Sequence, residues 1–168
     1  RNQGFDVRAV DLTATRQSVE QLVARLDAEG FHPTLVVFPS TTPTLAADVA
    51  AMAALKARYG APLICFGPHA STVPAESMTR AVAVDGMLVG EPEDGLLQLA
   101  SLESTDQFDQ VPSLTFRRGA DVVAHRAHGS FTGFLDAPYP AWDLFDLSAY
   151  SLPIVNQRYV LVETSRGC

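Results

Sequence analysis

Residues 35–44 read Leu35-Val36-Val37-Phe38-Pro39-Ser40-Thr41-Thr42-Pro43-Thr44, four apolar residues that run straight into a loop of prolines and hydroxyls. A short unbroken apolar run closed by turn residues suits a strand covered on both faces, as in a parallel sheet. The pattern recurs twice. Leu63–Phe66 runs into Gly67-Pro68-His69-Ala70-Ser71, and Gly86–Val89 into Gly90-Glu91-Pro92-Glu93. Helical segments separate these runs. Leu45–Tyr59 is an alanine-rich helix stopped by Gly60, Pro74–Arg80 a short helix, and Asp94–Leu102 a third. Upstream, Val19, Leu22, Val23 and Leu26 stand at i, i+3, i+4 and i+7, so Ser18–Glu29 reads as a helix with Ser18 as N-cap and Gly30 as its stop. Phe5–Leu12 reads as a further strand. Alternation of strand and helix implies right-handed crossovers and an α/β fold, a parallel sheet with helices on both faces.

From Ser113 the pattern changes. Ser113–Arg117 and Val122–His125 flank Arg118-Gly119-Ala120-Asp121, which predicts a β-hairpin. Leu135–Pro153, rich in proline, aspartate and aromatics, reads as an ordered linker, and Tyr159–Glu163 as a last strand. The expected division is 1–108 for the α/β domain, 109–158 for hairpin and linker, and 159–168 for the start of another domain.

Composition limits the function classes. The 168 residues are 47% hydrophobic and 18% charged, which suits a buried sheet and excludes a disordered chain. No apolar run reaches the roughly 20 residues of a membrane helix. A net charge of −7 disfavours a nucleic-acid partner, whose affinity rests on cationic side chains. The opening residues, Arg1-Asn2-Gln3-Gly4-Phe5-Asp6, carry no signal-peptide pattern. Two cysteines, Cys65 and Cys168, make no disulfide framework, and a reducing, cytoplasmic setting is expected.

In an open parallel sheet, ligands bind beyond the carboxyl ends of the strands. Three loops there share one character, small, polar and bearing glycine or proline: Ser40-Thr41-Thr42, Gly67-Pro68-His69-Ala70-Ser71, and Gly90-Glu91-Pro92-Glu93. Small residues let a large flat ligand approach the backbone, and hydroxyls and free amides can hydrogen-bond its polar rim. No strand is followed by Gly-x-Gly-x-x-Gly and no Gly-Lys-Ser/Thr occurs, so the phosphate cradles of dinucleotide and P-loop proteins are missing. No zinc spacing of His and Cys is present. Cys65, in mid-strand, reads as a small core residue.

Taken in order, Gly4–Leu12, Ser40–Thr44, Gly67–Ala70, Val89–Glu93, Val111–Leu114, Pro140–Leu144 and Glu163–Cys168 resemble the cobalamin-binding domain at the front of many radical S-adenosylmethionine enzymes. The Ser-Thr-Thr-Pro-Thr loop is similar to that of anaerobic porphyrin-ring cyclases and hopanoid-associated enzymes. The resemblance covers almost the whole chain and implies a flavodoxin-like (Rossmann-like) sheet whose carboxyl edge holds the corrin. By position, Ser40, Thr41 and Thr42 would face the nucleotide tail or corrin amides. Gly67, Pro68 and His69 would line the next side, and Gly90 and Glu91 the far side. Cys168 would be the first thiolate of a Cys-x-x-x-Cys-x-x-Cys motif that holds a 4Fe-4S cluster and presents S-adenosylmethionine. The partner would be the downstream radical S-adenosylmethionine barrel of the same parent chain, and the parent chemistry methyl transfer or radical ring formation.

Two departures from the family carry expectations. No Asp-x-His-x-x-Gly is present, the motif whose histidine ligates cobalt in some cobalamin proteins. The family's first strand is also absent. In the order 2-1-3-4-5 it would lie between Val7–Leu12 and Leu35–Phe38, so the chain alone is expected to be poorly stable or to bind cobalamin weakly. The alternative of another class is a non-catalytic flavodoxin-like module, a signalling receiver or a domain that has lost its cofactor. Asp11 is the one strand-end phosphoacceptor candidate, and no lysine follows a late strand. A flavin module would need aromatic stackers near the loops, which are missing.

Overall fold

The computed structural model describes residues 3–129 and 139–162. They form two compact units, one of residues 1–22 with 132–168 and one of residues 23–131, whose boundaries fall inside a helix and just beyond the hairpin.

The larger unit is built on five strands, in the order β1 (Val36–Pro39), β2 (Leu63–Phe66), β3 (Gly86–Leu88), β4 (Leu114–Arg118) and β5 (Asp121–Val123). The first three are parallel, and β4 and β5 add an antiparallel hairpin beside β3. Helices cover both faces, and the architecture is flavodoxin-like. Period-two alternation sorts the core. Phe38, Leu63, Cys65 and Met87 face one way and pack with Ala70, Met78, Ala81 and Val84. Ile64, Leu88, Leu114 and Phe116 face the other way and pack with Leu99, Phe108 and Val111. After α1 (Leu12–Thr15) and α2 (Val19–Ala28) in chain order, the first face is covered by α3 (Leu45–Tyr59), α4 (Pro68–Thr72) and α5 (Pro74–Arg80), the second by α6 (Glu93–Ala100) and a 3-10 turn at Thr105–Gln110. At Gly86 a Cβ would stand 2.8 Å from Leu114 Cδ1 and 3.0 Å from Ile64 Cδ1, so a larger residue there would displace those two side-chain ends.

Helix boundaries follow their local chemistry. α3 ends where Gly60 adopts φ 69° and donates its N–H to Lys56 O at 2.8 Å. The helix Val19–Ala28 has the predicted cap: Ser18 Oγ accepts from Gln21 N, and Gln21 Oε1 accepts from Ser18 N. At the amino ends of β2 and β3, Asp85 accepts from Lys56 Nζ and from Leu63 N.

Three expectations are corrected. Phe5–Leu12 is not a strand. Residues 5–11 carry no ladder, and Asp11 caps a helical turn at Leu12–Thr15, its Oδ1 accepting from Ala14 N at 2.9 Å. Apolar alternation makes a strand only where a neighbour supplies the ladder, and a local cap needs none. The segment Gly67–Ser71 is not wholly a loop. Pro68 begins α4, its fixed φ suiting the first helical position, while Gly67 takes up the bend at φ 105°. Tyr159–Val162 forms no strand either. The chain there has one antiparallel bridge, Ser151 to Arg158, and Leu161 and Val162 are exposed. Glu163–Cys168, and with them the expected cluster cysteine, lie outside the described residues. In the smaller unit the linker makes two 3-10 turns, Trp142–Leu144 and Leu147–Ala149. No helix among the described residues is long and apolar enough to cross a membrane.

Candidate functional site

The carboxyl ends of β1, β2 and β3 lie side by side, with parallel neighbours spaced about 4.8 Å apart. Their loops form one edge, stitched by hydrogen bonds. Ser40 N donates to Phe66 O at 3.0 Å, which extends the β1–β2 ladder one residue past the strand. Gly67 then passes so close that a Cβ on it would stand 3.0 Å from Ser40 O. On the next side, Gly90 N donates to Ser71 Oγ at 3.0 Å, which ties the β3 loop to α4.

The hydroxyls of the first loop take different directions. Ser40 is buried and donates to Asp48 Oδ2 on α3 at 2.8 Å, so it faces inward. Thr41 is exposed, and its Oγ1 lies 3.0 Å from Thr44 Oγ1, within its own turn. Thr42 is exposed and reaches across: its Oγ1 lies 3.0 Å from His69 Nδ1. The other nitrogen of that ring, Nε2, lies 2.6 Å from the Oγ of buried Ser77 on α5. His69 thus bridges the β1 loop to α5, with both ring nitrogens engaged. Pro68 is exposed and serves the start of α4.

The β3 loop is clasped from outside the parallel strands. Gly129 N donates to Val89 O at 2.7 Å and Glu91 N donates to Gly129 O at 3.2 Å, making a parallel bridge to Gly90. Glycine is required on both sides. A Cβ on Gly90, whose φ is 85°, would stand 2.5 Å from Gly129 O, and one on Gly129 would stand 2.2 Å from Glu91 O. The backbone N–H groups of Gly90 and Glu91 are therefore both committed within the chain.

Beneath the edge, Cys65 is fully buried and its thiol is pushed up to about 12, by burial first and by the Asp48 carboxylate second. It is a neutral thiol at physiological pH, as its core position predicts. Among the described residues, no group of three or more His, Cys, Asp or Glu side chains is placed to hold a metal ion.

The structure brings Ser40, Thr42, Gly67, His69 and Gly90 into one connected edge, with Thr41, Pro68 and Glu91 beside them. It adds three residues that the sequence did not single out, Asp48, Ser77 and Gly129, and gives Ser71 of the second loop a role. Asp48 and Ser77 sit on helices behind the loops, Ser71 pins Gly90, and Gly129 closes the β3 end. Asp48, the lone acid in the first turn of an alanine-rich helix, was a visible signal. Nothing in the sequence marked Ser77 or Gly129.

No family model and no curated protein matches this chain. Solved structures do. The radical S-adenosylmethionine methyltransferase TsrM from Kitasatospora setae, with tryptophan substrate and the analogue aza-SAM bound, superposes with a TM-score of 0.62 at 20% identity over 74% of this chain. The same enzyme with cobalamin and a [4Fe-4S] cluster bound gives 0.60 at 20% identity over 73%. The chain spans about a quarter of the TsrM chains, 24% and 25%. These likenesses show a shared fold. The N-terminal domain of a hypothetical protein from Thermotoga maritima aligns over 61% of this chain and 76% of its own, at 25% identity and a TM-score of 0.43, too low to carry an argument.

Proposed function

We propose that this chain is the cobalamin-binding platform of a larger radical S-adenosylmethionine enzyme. The observation that carries it is the edge itself. Three loops of small, hydroxylated and glycine residues meet at the carboxyl ends of adjacent parallel strands, on a fold shared with TsrM, which has been solved with cobalamin and a [4Fe-4S] cluster bound.

The residues fit such a group. A corrin carries carboxamides around its rim and a phosphate in its tail, and neutral hydroxyls suit both. Thr41 and Thr42 are exposed at the edge to meet them, with Pro68 and the flank of Gly67 as apolar surface beside them. Ser40, His69, Gly90 and Glu91 hold the loops at that edge. When bound, the cofactor would supply cobalt-centred chemistry, and the chain would supply binding and orientation. Residues 1–108 would form this platform, 109–158 its hairpin and linker, and 159–168 the entry to the barrel. In the parent enzyme Cys168 would give one of three thiolates for a 4Fe-4S cluster. The parent would be catalytic, and this chain alone would not perform the radical step.

The test is an absorption titration with hydroxocobalamin of the purified chain with the family's first strand restored ahead of it, followed by gel filtration. Binding shifts the corrin bands and carries the colour with the protein. Unchanged bands and separate elution would overturn the proposal.

A further inference from the structure

The geometry points to a specific tautomer of His69, with the proton on Nδ1, which makes Thr42 a hydrogen-bond donor toward the bound ligand. The tautomer follows from the chain alone, while the ligand part rests on the cobalamin reading above.

Ser77 is buried, and among the described residues its hydroxyl has one hydrogen-bond partner, His69 Nε2 at 2.6 Å. A buried O–H must donate somewhere. If Nε2 carried the proton, it would donate to Ser77 Oγ, and the Ser77 hydrogen would be buried with no acceptor. If Nε2 is bare, Ser77 donates to it and the contact is satisfied. Neutral imidazole holds one proton, so it then sits on Nδ1. His69 Nδ1–H therefore donates to Thr42 Oγ1, 3.0 Å away. Thr42 has accepted, and its own O–H is left to donate. Thr42 is exposed, so that O–H is directed out of the edge.

The relay Ser77 to His69 to Thr42 thus transmits polarity from a buried serine on α5 to the surface. It selects a ligand atom that accepts: a ring carboxamide oxygen or a phosphate oxygen. Ser77 acts only through His69 and is a positioning residue. The same arrangement commits the bare Nε2 to the Ser77 hydroxyl.

Proton–nitrogen correlation spectra of the chain carrying isotope-labelled histidine test the tautomer, with His69→Asn assigning the signal. Nδ1 protonated and Nε2 bare is expected. A wild-type His69 protonated on Nε2 overturns the inference. Ser77→Ala is expected to release the ring toward the Nε2–H form. The donor role is tested with Thr42→Val, which keeps the shape, and Thr42→Ser, which keeps the hydroxyl. Hydroxocobalamin affinity should fall roughly three- to tenfold in Thr42→Val and be retained in Thr42→Ser. Cobinamide keeps the ring carboxamides and lacks the nucleotide phosphate. Equal losses for both ligands assign a carboxamide acceptor, and a loss for hydroxocobalamin alone assigns the phosphate. No loss for either overturns the donor role. If the chain with the first strand restored binds neither, the cobalamin reading fails and the donor role with it, and the nitrogen spectrum still decides the tautomer.

Discussion

Lys56 and Asp85, 29 residues apart, close the amino end of the parallel sheet: Lys56 Nζ donates to both carboxylate oxygens at 2.7 and 2.8 Å. The same carboxylate accepts from Leu63 N at 2.8 Å, and Lys56 also donates to Ala83 O at 3.0 Å. One ion pair thus ties α3, β2 and the entry to β3. The binding edge lies at the opposite ends of these strands, so the pair can be tested for stability without touching it.

Asp85→Ala should destabilise the chain by about 3 kcal/mol, since it removes three charge-assisted bonds and strands a half-buried ammonium. Asp85→Asn keeps an acceptor for Leu63 N and should lose about half as much. Urea unfolding midpoints measure both. Equal stability of Asp85→Ala and wild type would remove the pair from the structural account.

Glycine substitutions separate backbone strain from steric clash. Gly60 and Gly90 both have positive φ, 69° and 85°, but a Cβ on Gly60 meets nothing within 4 Å, whereas one on Gly90 meets Gly129 O at 2.5 Å. Gly60→Ala should cost about 1–2 kcal/mol, the strain of a left-handed conformation. Gly90→Ala should cost more and should break the Gly129 clasp. Thermal melts rank the two variants. Amide exchange at Glu91 and Gly129, accelerated in Gly90→Ala alone, reports the clasp.

These contacts show which features could be read in the sequence. Leu45–Tyr59, Leu63–Phe66 and Pro74–Arg80 have the predicted bounds, because their ends are set locally, by Gly60, by Gly67 and by Pro74. Phe5–Leu12 misleads for the converse reason. Its pattern is that of a strand, but a strand exists only through its neighbour, while the bond from Ala14 N to Asp11 closes within four residues. The candidate edge divides in the same way. Its glycines and hydroxyls announce a loop suited to a ligand. What each hydroxyl does depends on helices that dock only in the fold, Asp48 turning Ser40 inward and Ser77 engaging His69. No spacing rule links positions 40 and 48, or 69 and 77, across different elements.

The small unit offers its own check. Tyr150 Oη donates to Asp11 Oδ2 at 3.1 Å, across 139 positions of sequence. Burial, then the Asp11 bond and charge, raise the Tyr150 pKa. Tyr150→Phe should therefore cost about 1 kcal/mol in the local stability of this unit. The expected readout is faster amide exchange at Ala14, whose N–H is held by the other oxygen of Asp11. Unchanged exchange there would mean that the cap stands without Tyr150.

The buried thiol gives the pH prediction. Cys65 has its pKa raised from 9.0 to about 12, chiefly by burial and secondarily by Asp48. The folded state therefore keeps its proton where the unfolded chain has begun to lose it. The stabilising contribution is complete below pH 9, where both states are protonated. It is lost as pH rises from there toward about 12, because ionisation favours the unfolded chain. Two measurements follow. Alkylation at Cys65, read by peptide mass spectrometry, should be negligible at neutral pH in the native chain and rapid in urea. Asp48→Asn removes the smaller cause and should bring the native Cys65 pKa partway down, with burial holding it well above 9. A full return to an ordinary thiol pKa in Asp48→Asn would mean that charge, not burial, governs this residue. No shift at all would mean that the carboxylate holding Ser40 does not act on the thiol beneath it.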